Sequence, residues 1–151
     1  MTLRERLDND LKTAMKSRDS LRVSVLRMLR SEIHYAEIEK GKDLTDEDIM
    51  QVVSKGCKRR REAIEQYEKA GRTDLVEKEA AEQQILLQYL PQQLGEAEIA
   101  GIAREVISEL HAASKADKGK VMGALMPKIL GKADGTVVSR IVDELLEGNS
   151  A

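Results

Sequence analysis

The sequence has 151 residues, of which 34% are charged and 2% are aromatic, and its 25 basic and 27 acidic residues give a formal net charge of -2. A chain of this length can bury about 68–70% of its unfolded surface, so a core can form without disulfides. The charge balance argues against a nucleic-acid binder that acts through bulk charge, and three tyrosines without Phe or Trp argue against base stacking on aromatic platforms.

Four helices are predicted in the first part of the chain, because apolar residues recur three and four positions apart behind polar caps. Thr2 and Glu5 form a capping box, and Gly41 and Gly71 are stop positions. The predicted helices run from Thr2 to about Lys16, from Asp19 or Ser20 to Lys40, from Thr45 to Gly71, and from a cap at Thr73 towards Pro91. The buried arc of the second helix is predicted to contain Leu21, Val25, Met28, Leu29, Ile33 and Ala36.

A domain boundary is predicted near Pro91, because proline disfavours helix at the residue before it and Gly95 can cap a following helix. Three helices are expected beyond it, near 96–113, 118–130 and 135–147, the last capped by Asp134 and the middle one kinked at Pro127. No segment alternates long enough to indicate a strand. The fold class is therefore all-α, with four helices in residues 1–92 and three in residues 93–151.

Cysteine usage and the N-terminal sequence predict a cytoplasmic protein. Cys57 is the one cysteine and cannot form an internal bridge, and no basic start is followed by an apolar segment. No apolar run approaches the length of a membrane span, so no membrane association is expected. His34, Cys57 and His111 are isolated from one another in sequence, so neither a metal site nor a cofactor is predicted.

Three charged side chains fall within apolar arcs of the predicted helices. At about 100° per residue, Glu32, Arg60 and Glu79 all point towards a core. The favoured interpretation is an interhelical ion network in which Arg60 bridges Glu79 or Glu32, because buried charges persist when they are paired. The alternative is a carboxylate pair for acid–base or metal chemistry.

The stretch "GKVMGALMPKILGKADG", residues 119–135, has glycine or proline at every fourth position. A phosphate-binding loop is excluded, because Met126 stands where that motif needs glycine and Ala133 stands where it needs Ser or Thr. The period is helical, so small residues would form a smooth side edged by Lys120 and Lys128. Two interpretations remain, close packing against another helix and contact with an RNA backbone.

Five basic and two acidic residues between Asp117 and Arg140 give this segment a local charge of +3. Glycine would allow a phosphate to approach the main chain, and Lys132 with the amides near Asp134 would offer an anion site. The candidate nucleic-acid-binding residues are Lys118, Gly119, Lys120, Gly123, Lys128, Gly131, Lys132, Gly135 and Arg140.

The motifs "AGRTDL" and "YLPQQL", with the block from "GKVMG" to "GKADG", resemble the GatB/YqeY family over nearly the whole chain. The family is similar to the C-terminal region of the GatB component of the tRNA-dependent amidotransferase. Gly119, Lys120, Gly123, Gly131, Lys132 and Gly135 match the shared block, whereas Gly95 departs from the serine cap common in the family. The resemblance implies an all-helical fold with a four-helix part and a three-helix bundle.

The resemblance also implies a role with tRNA, because the helical tail of the amidotransferase is the part that holds tRNA. The catalytic body of that enzyme is absent from this sequence, so the first hypothesis is a tRNA-binding or tRNA-associated module without catalysis of its own. The second is an adaptor whose four-helix part docks on an amidotransferase or an aminoacyl-tRNA synthetase. A third is carbon–nitrogen ligase activity with glutamine as amido donor.

Overall fold

The computed structural model describes residues 1–149, and in that range the chain forms seven α-helices and no strand. The prediction of an all-α fold is confirmed. The helices are α1 (Leu3–Ser17), α2 (Ser20–Lys40), α3 (Asp46–Lys69), α4 (Thr73–Leu87), α5 (Glu96–Glu109), α6 (Lys118–Leu125) and α7 (Gly135–Asn149). Short 3₁₀ turns at Lys115–Asp117 and Met126–Ile129 flank α6. None of the helices in residues 1–149 combines the length and apolar character that crossing a bilayer requires.

Local capping explains where α1 and α3 begin and where α2 ends. Thr2 and Glu5 form the predicted capping box of α1, and Thr45 forms one with Asp48 at the start of α3. Gly41 ends α2 with φ of 75°, a left-handed conformation that glycine adopts without steric cost. Hydrogen bonds from the Lys40 ammonium and the Thr45 backbone lower the pKa of Asp48 to about 2, because both stabilise its ionised form.

The start of α4 differs from the prediction, which placed the helix cap at Thr73. Gly71, with φ of 70°, allows the Arg72 N–H to donate to the carbonyl of Tyr67 at 2.9 Å. Arg72 is therefore the one residue between this turn and α4, and Thr73 is already the first residue of the helix. The Arg72 side chain forms an ion pair with Asp74 at 3.0 Å. The motif "AGRTDL" thus builds a tight helical hairpin.

The chain divides into two compact units, Met1–Pro91 and the residues from Gln92 onward. In the first unit α2 packs against α1, α3 and α4. Its core consists of Leu7, Leu11, Val25, Leu26, Leu29, Ile33, Ile49, Val53, Cys57, Ile85, Leu86 and Tyr89. One position of the predicted arc is wrong: Met28 is 52% exposed, and Leu26, which the arc omitted, is fully buried.

The second unit is formed by α5, α6 and α7 around its own core. Its buried side chains include Ile99, Val106, Val121, Leu125, Ile129, Val138, Val142 and Leu146. The helix predicted near 118–130 is α-helical as far as Leu125, because Pro127 has no N–H to donate to the carbonyl of Gly123. A 3₁₀ turn follows, and Gly131 with φ of 75° then redirects the chain. Likewise α5 ends at Glu109 rather than near 113, and His111 takes a left-handed φ of 54°.

Candidate nucleic-acid interface

Gly119 and Gly123 lie on the exposed side of α6, opposite the core side chains Val121 and Leu125. Apart from the backbone of its own helix and its chain neighbours, a Cβ atom built on either glycine would meet no atom within 4 Å. Pro127, in the turn that follows, is also exposed. In the described part of the second unit, residues 92–149, no other helix packs closely against this side of α6, so its backbone is accessible at two successive turns.

The other two glycines of the four-residue recurrence have different surroundings. Gly131 is buried, and its carbonyl accepts a hydrogen bond from the Gln93 side chain at 2.8 Å. Gly135 is the first residue of α7, where an added Cβ would lie 3.9 Å from Cε of Met126. The continuous smooth strip expected from the sequence is therefore limited to Gly119, Gly123 and Pro127, because α6 ends before the recurrence does.

Three of the five basic residues in the candidate site form ion pairs with acids outside the segment. Lys118 Nζ lies 2.9 Å from Asp143, and Lys128 Nζ lies 3.9 Å from Glu109. Arg140 pairs with both Glu96 and Glu144. The local charge of +3 read from the sequence is therefore largely compensated by α5 and α7.

Lys120 and Lys132 are exposed, and neither forms an ion pair with any residue between positions 1 and 149. The same holds for Arg104 on α5, which was not predicted because it lies outside the basic segment. In the described part of the second unit, these cations remain available to an external anion.

The start of α7 already holds an anion of the chain itself. Oδ1 of Asp134 accepts a hydrogen bond from the Thr136 N–H at 2.7 Å, so Asp134 caps this helix as its position in the sequence predicted. A phosphate at this point would compete with that carboxylate. The predicted site near Gly135 is therefore expected to bind an anion less tightly than a helix N-terminus that has no capping carboxylate.

Arg60, the buried arginine of the first unit, pairs with a carboxylate other than Glu79 and Glu32, the two that the sequence suggested. Arg60 is 8% exposed; its Nε lies 3.3 Å from Glu82, and its Nη1 donates to the Gly56 carbonyl at 3.1 Å. Glu32 instead pairs with Arg59 at 2.8 Å, and Glu79 forms no ion pair among the described residues.

The antiparallel arrangement of α3 and α4 explains this pairing. Arg60 lies nine residues before the last residue of α3, and Glu82 lies nine residues after the first residue of α4. The two side chains therefore lie opposite each other across the hairpin. Glu79 lies about one helical turn closer to the α3–α4 connection. Counting outward from the Gly71 turn would have identified Glu82 from the sequence.

Tyr89 of the motif "YLPQQL" is a further buried polar group, and it was not predicted from the sequence. Its hydroxyl donates to Oδ2 of Asp10 at 2.5 Å, and the Arg6 guanidinium lies 4.8 Å from the ring centroid. Burial and the Asp10 carboxylate both raise the pKa of Tyr89, so the phenol stays protonated and keeps donating. This motif therefore attaches the end of α4 to α1.

Within the part of the chain that the structure describes, no three His, Cys, Asp or Glu side chains are grouped so that they could hold a metal ion. The two motifs outside the glycine block have structural roles, in the α3–α4 turn and at the Tyr89 contact. Residues 70–74 of "AGRTDL" are also exposed, but they form the turn between α3 and α4, whereas the exposed glycine face of α6 has no such structural role.

Comparison with known proteins gives a family match over residues 4–146, to the family described as YqeY-like protein. A protein of Pyrenophora tritici-repentis named "Altered inheritance of mitochondria protein 41, mitochondrial" is 33% identical over 144 residues, which cover 93% of this chain and 79% of that protein. The protein of the same name from Lachancea thermotolerans is 39% identical over 69% of this chain. An uncharacterized protein of Schizosaccharomyces pombe is 44% identical over 52% of it. The chain spans 57% and 64% of the lengths of these last two relatives.

The expected cytoplasmic location is wrong by this comparison, because relatives matched over most of the chain are named as mitochondrial proteins. The expectation depended on one unpaired cysteine and on the absence of a recognisable leader sequence. Those features separate oxidising from reducing compartments, but they do not distinguish one reducing compartment from another.

Proposed function

The chain belongs to the YqeY-like protein family, as its motifs predicted, and we propose that it is a binding module for structured RNA, with tRNA as the first candidate and with no catalysis of its own. The observation that carries the proposal is the exposed backbone of α6 at Gly119 and Gly123, beside the unpaired Lys120. The similarity of the family to the tRNA-holding tail of the amidotransferase supports the choice of tRNA.

Structured RNA is recognised mainly through its shape, its phosphates and its 2′-hydroxyls, so a protein can bind it without aromatic platforms. Gly119 and Gly123 have no side chain to hold a sugar–phosphate backbone away from the helix. Lys120 lies next to this face, and Lys132 follows in the loop before α7. Few unpaired cations are available, so RNA binding is expected to be weak and salt-sensitive. A plot of log K against log salt concentration should have a slope of about -0.7 to -0.9 for each phosphate neutralised.

Lys120→Ala combined with Lys132→Ala is expected to weaken tRNA binding and to flatten the salt dependence, by about one unit of slope for each lysine that contacts phosphate. Fluorescence anisotropy with labelled tRNA at several salt concentrations measures both effects. The control is Lys78→Ala with Lys115→Ala, which removes the same number of positive charges. Lys78 is exposed in the first unit, and Lys115 is paired with Glu147. Absence of tRNA binding by the native chain, or equal loss in both double variants, would refute the proposal.

Gly123→Ala separates a binding role from a packing role. The added methyl group meets no atom, so the unfolding free energy is expected to rise by about 0.5–1 kcal/mol, as for glycine to alanine in a helix interior. Affinity for tRNA is expected to fall nonetheless, because the methyl group occupies the surface that the RNA backbone would contact. Gly101→Ala on α5 is the matched control, since a Cβ there also meets nothing within 4 Å. A stabilised Gly123→Ala variant with undiminished affinity would show that RNA does not lie on this face.

A second candidate function, an adaptor for a protein partner, is favoured by an exposed apolar face on α2. Met28, Tyr35 and Ile38 are 52%, 71% and 64% exposed. Their spacing of seven and three residues puts them on one side of the helix, with Met28 at the edge of the buried arc and Tyr35 and Ile38 farther from it. Large apolar side chains grouped in this way are typical of a protein-binding surface.

The adaptor proposal is tested with a purified amidotransferase and a purified aminoacyl-tRNA synthetase as the titrated partners. Calorimetry is expected to detect binding of one of them to the native chain, and Tyr35→Ser with Ile38→Ser is expected to weaken it at least tenfold. Met15→Ser is the control, because Met15 is a large exposed apolar residue on α1 outside this face. No binding to either partner, or the same loss with the control, would reject the adaptor role.

A further inference from the structure

A cleft of about 470 Å³ lies at the C-terminal end of α5, and it contains none of the residues of the glycine face on α6. Its lining consists of Arg104, Ile107, Ser108, His111, Ala112 and Leu145. This volume is within the range of about 300–1,000 Å³ found for small-molecule sites. Leu145 comes from α7, so two helices of the second unit contribute to the cleft.

Polar and apolar groups are separated within the cleft. Arg104, Ser108 and His111 are spaced by four and three residues, so they follow one side of α5 and continue past its end. Ile107, which is largely buried, contributes apolar surface together with Leu145. A ligand could therefore place a polar group against the first three residues and a carbon skeleton against the last two.

Among the described residues that line the cleft, the side chains are positive or neutral and none is an acid. The Arg104 guanidinium has no carboxylate partner within residues 1–149. Two acids near the ends of α5 and α7, Glu109 and Glu147, are paired with Lys128 and Lys115. The electrostatic preference of the cleft is therefore for an anion.

We propose that this cleft binds the phosphate group of a small phosphorylated molecule. The planar guanidinium of Arg104 can donate two parallel hydrogen bonds to phosphate oxygens, an arrangement that arginine forms readily. The imidazole N–H of His111 and the hydroxyl of Ser108 supply further donors. None of these three residues belongs to the proposed RNA face, so each of the two proposals can be refuted without affecting the other.

The test is a titration of the ¹⁵N-labelled chain with inorganic phosphate and with phenyl phosphate, followed by NMR at constant ionic strength adjusted with chloride. Saturable shifts are expected at the amides of Ser108, His111 and Ala112, with tighter binding of phenyl phosphate because its ring covers Ile107 and Leu145. Arg104→Gln is expected to weaken both ligands at least tenfold. Arg27→Gln, at an exposed arginine of the first unit, should leave both affinities unchanged.

Two results would overturn this proposal. One is the absence of saturable shifts at these amides, and the other is equal phosphate affinity in Arg104→Gln and the native chain. A short oligonucleotide with a 5′-phosphate, compared with the same oligonucleotide carrying a 5′-hydroxyl, identifies the source of the phosphate. Tighter binding of the phosphorylated oligonucleotide than of phenyl phosphate would overturn the assignment to a small molecule in favour of a nucleic-acid end, whereas weaker binding would support it.

Discussion

Arg60→Ala is expected to lower the unfolding free energy of the first unit by about 3 kcal/mol. The substitution removes the ion pair with Glu82 at 3.3 Å and the hydrogen bond to the Gly56 carbonyl at 3.1 Å. It leaves both acceptors in a largely desolvated region, and losing one partner of such a pair usually costs more than the pair contributes. All three tyrosines lie in the first unit, so urea denaturation followed by tyrosine fluorescence reports its unfolding.

The choice of carboxylate is tested by a matched pair of substitutions on α4. Glu82→Gln is expected to cost about 1–2 kcal/mol, because a neutral amide replaces the charged partner of Arg60. Glu79→Gln is expected to stay within about 0.5 kcal/mol, since Glu79 has no ion pair in the described chain. Combining each with Arg60→Ala gives the coupling energy. Stronger coupling to Glu79 than to Glu82 would contradict the observed pairing across the hairpin.

Leu26→Ala is expected to cost about 2–5 kcal/mol of unfolding free energy, because the side chain is fully buried and the change leaves a cavity among the neighbouring helices. Met28→Ala, two residues away on the same helix, is expected to cost less than about 1 kcal/mol, because Met28 is 52% exposed. The same fluorescence-monitored denaturation compares the two variants. A larger loss for Met28→Ala would mean that α2 is rotated about its axis, with Met28 inward and Leu26 outward.

The error at Met28 shows how far helical periodicity determines burial. Period 3.6 correctly assigned Val25, Leu29 and Ile33 to the core. It could not determine the width of the buried arc, since α2 packs against three helices and the arc therefore extends to Leu26. Met28 lies at the opposite edge, where its sulphur is 3.7 Å from Nη2 of Arg60.

The candidate nucleic-acid site also combines features that the sequence predicted with features that it did not. The four-residue spacing of glycine predicted a helical face, and α6 carries Gly119 and Gly123 on one exposed side. The sequence did not reveal that acids on α5 and α7 pair with three of the five cations. Most of those acids are distant in sequence, so a charge count over a contiguous segment overestimates the positive charge.

Local interactions explain what the sequence determined by itself. The all-α class, the caps at Thr2, Thr45 and Asp134, the glycine stops and the inward direction of Arg60 depend on residues within a few positions of one another. The YqeY-like family could also be identified from short motifs. Such features are encoded by dihedral preferences, nearby hydrogen bonds and the helical period.

Tertiary structure alone decided which charges are paired and which surfaces remain exposed. Lys118, Lys128 and Arg140 were paired with acids on α5 and α7, Lys120 and Lys132 stayed unpaired, and Arg104 came to line a cleft with Leu145 of α7. Each outcome depends on which faces of separate helices meet. That choice is made by burying apolar side chains that are far apart in the sequence, and no local pattern specifies it.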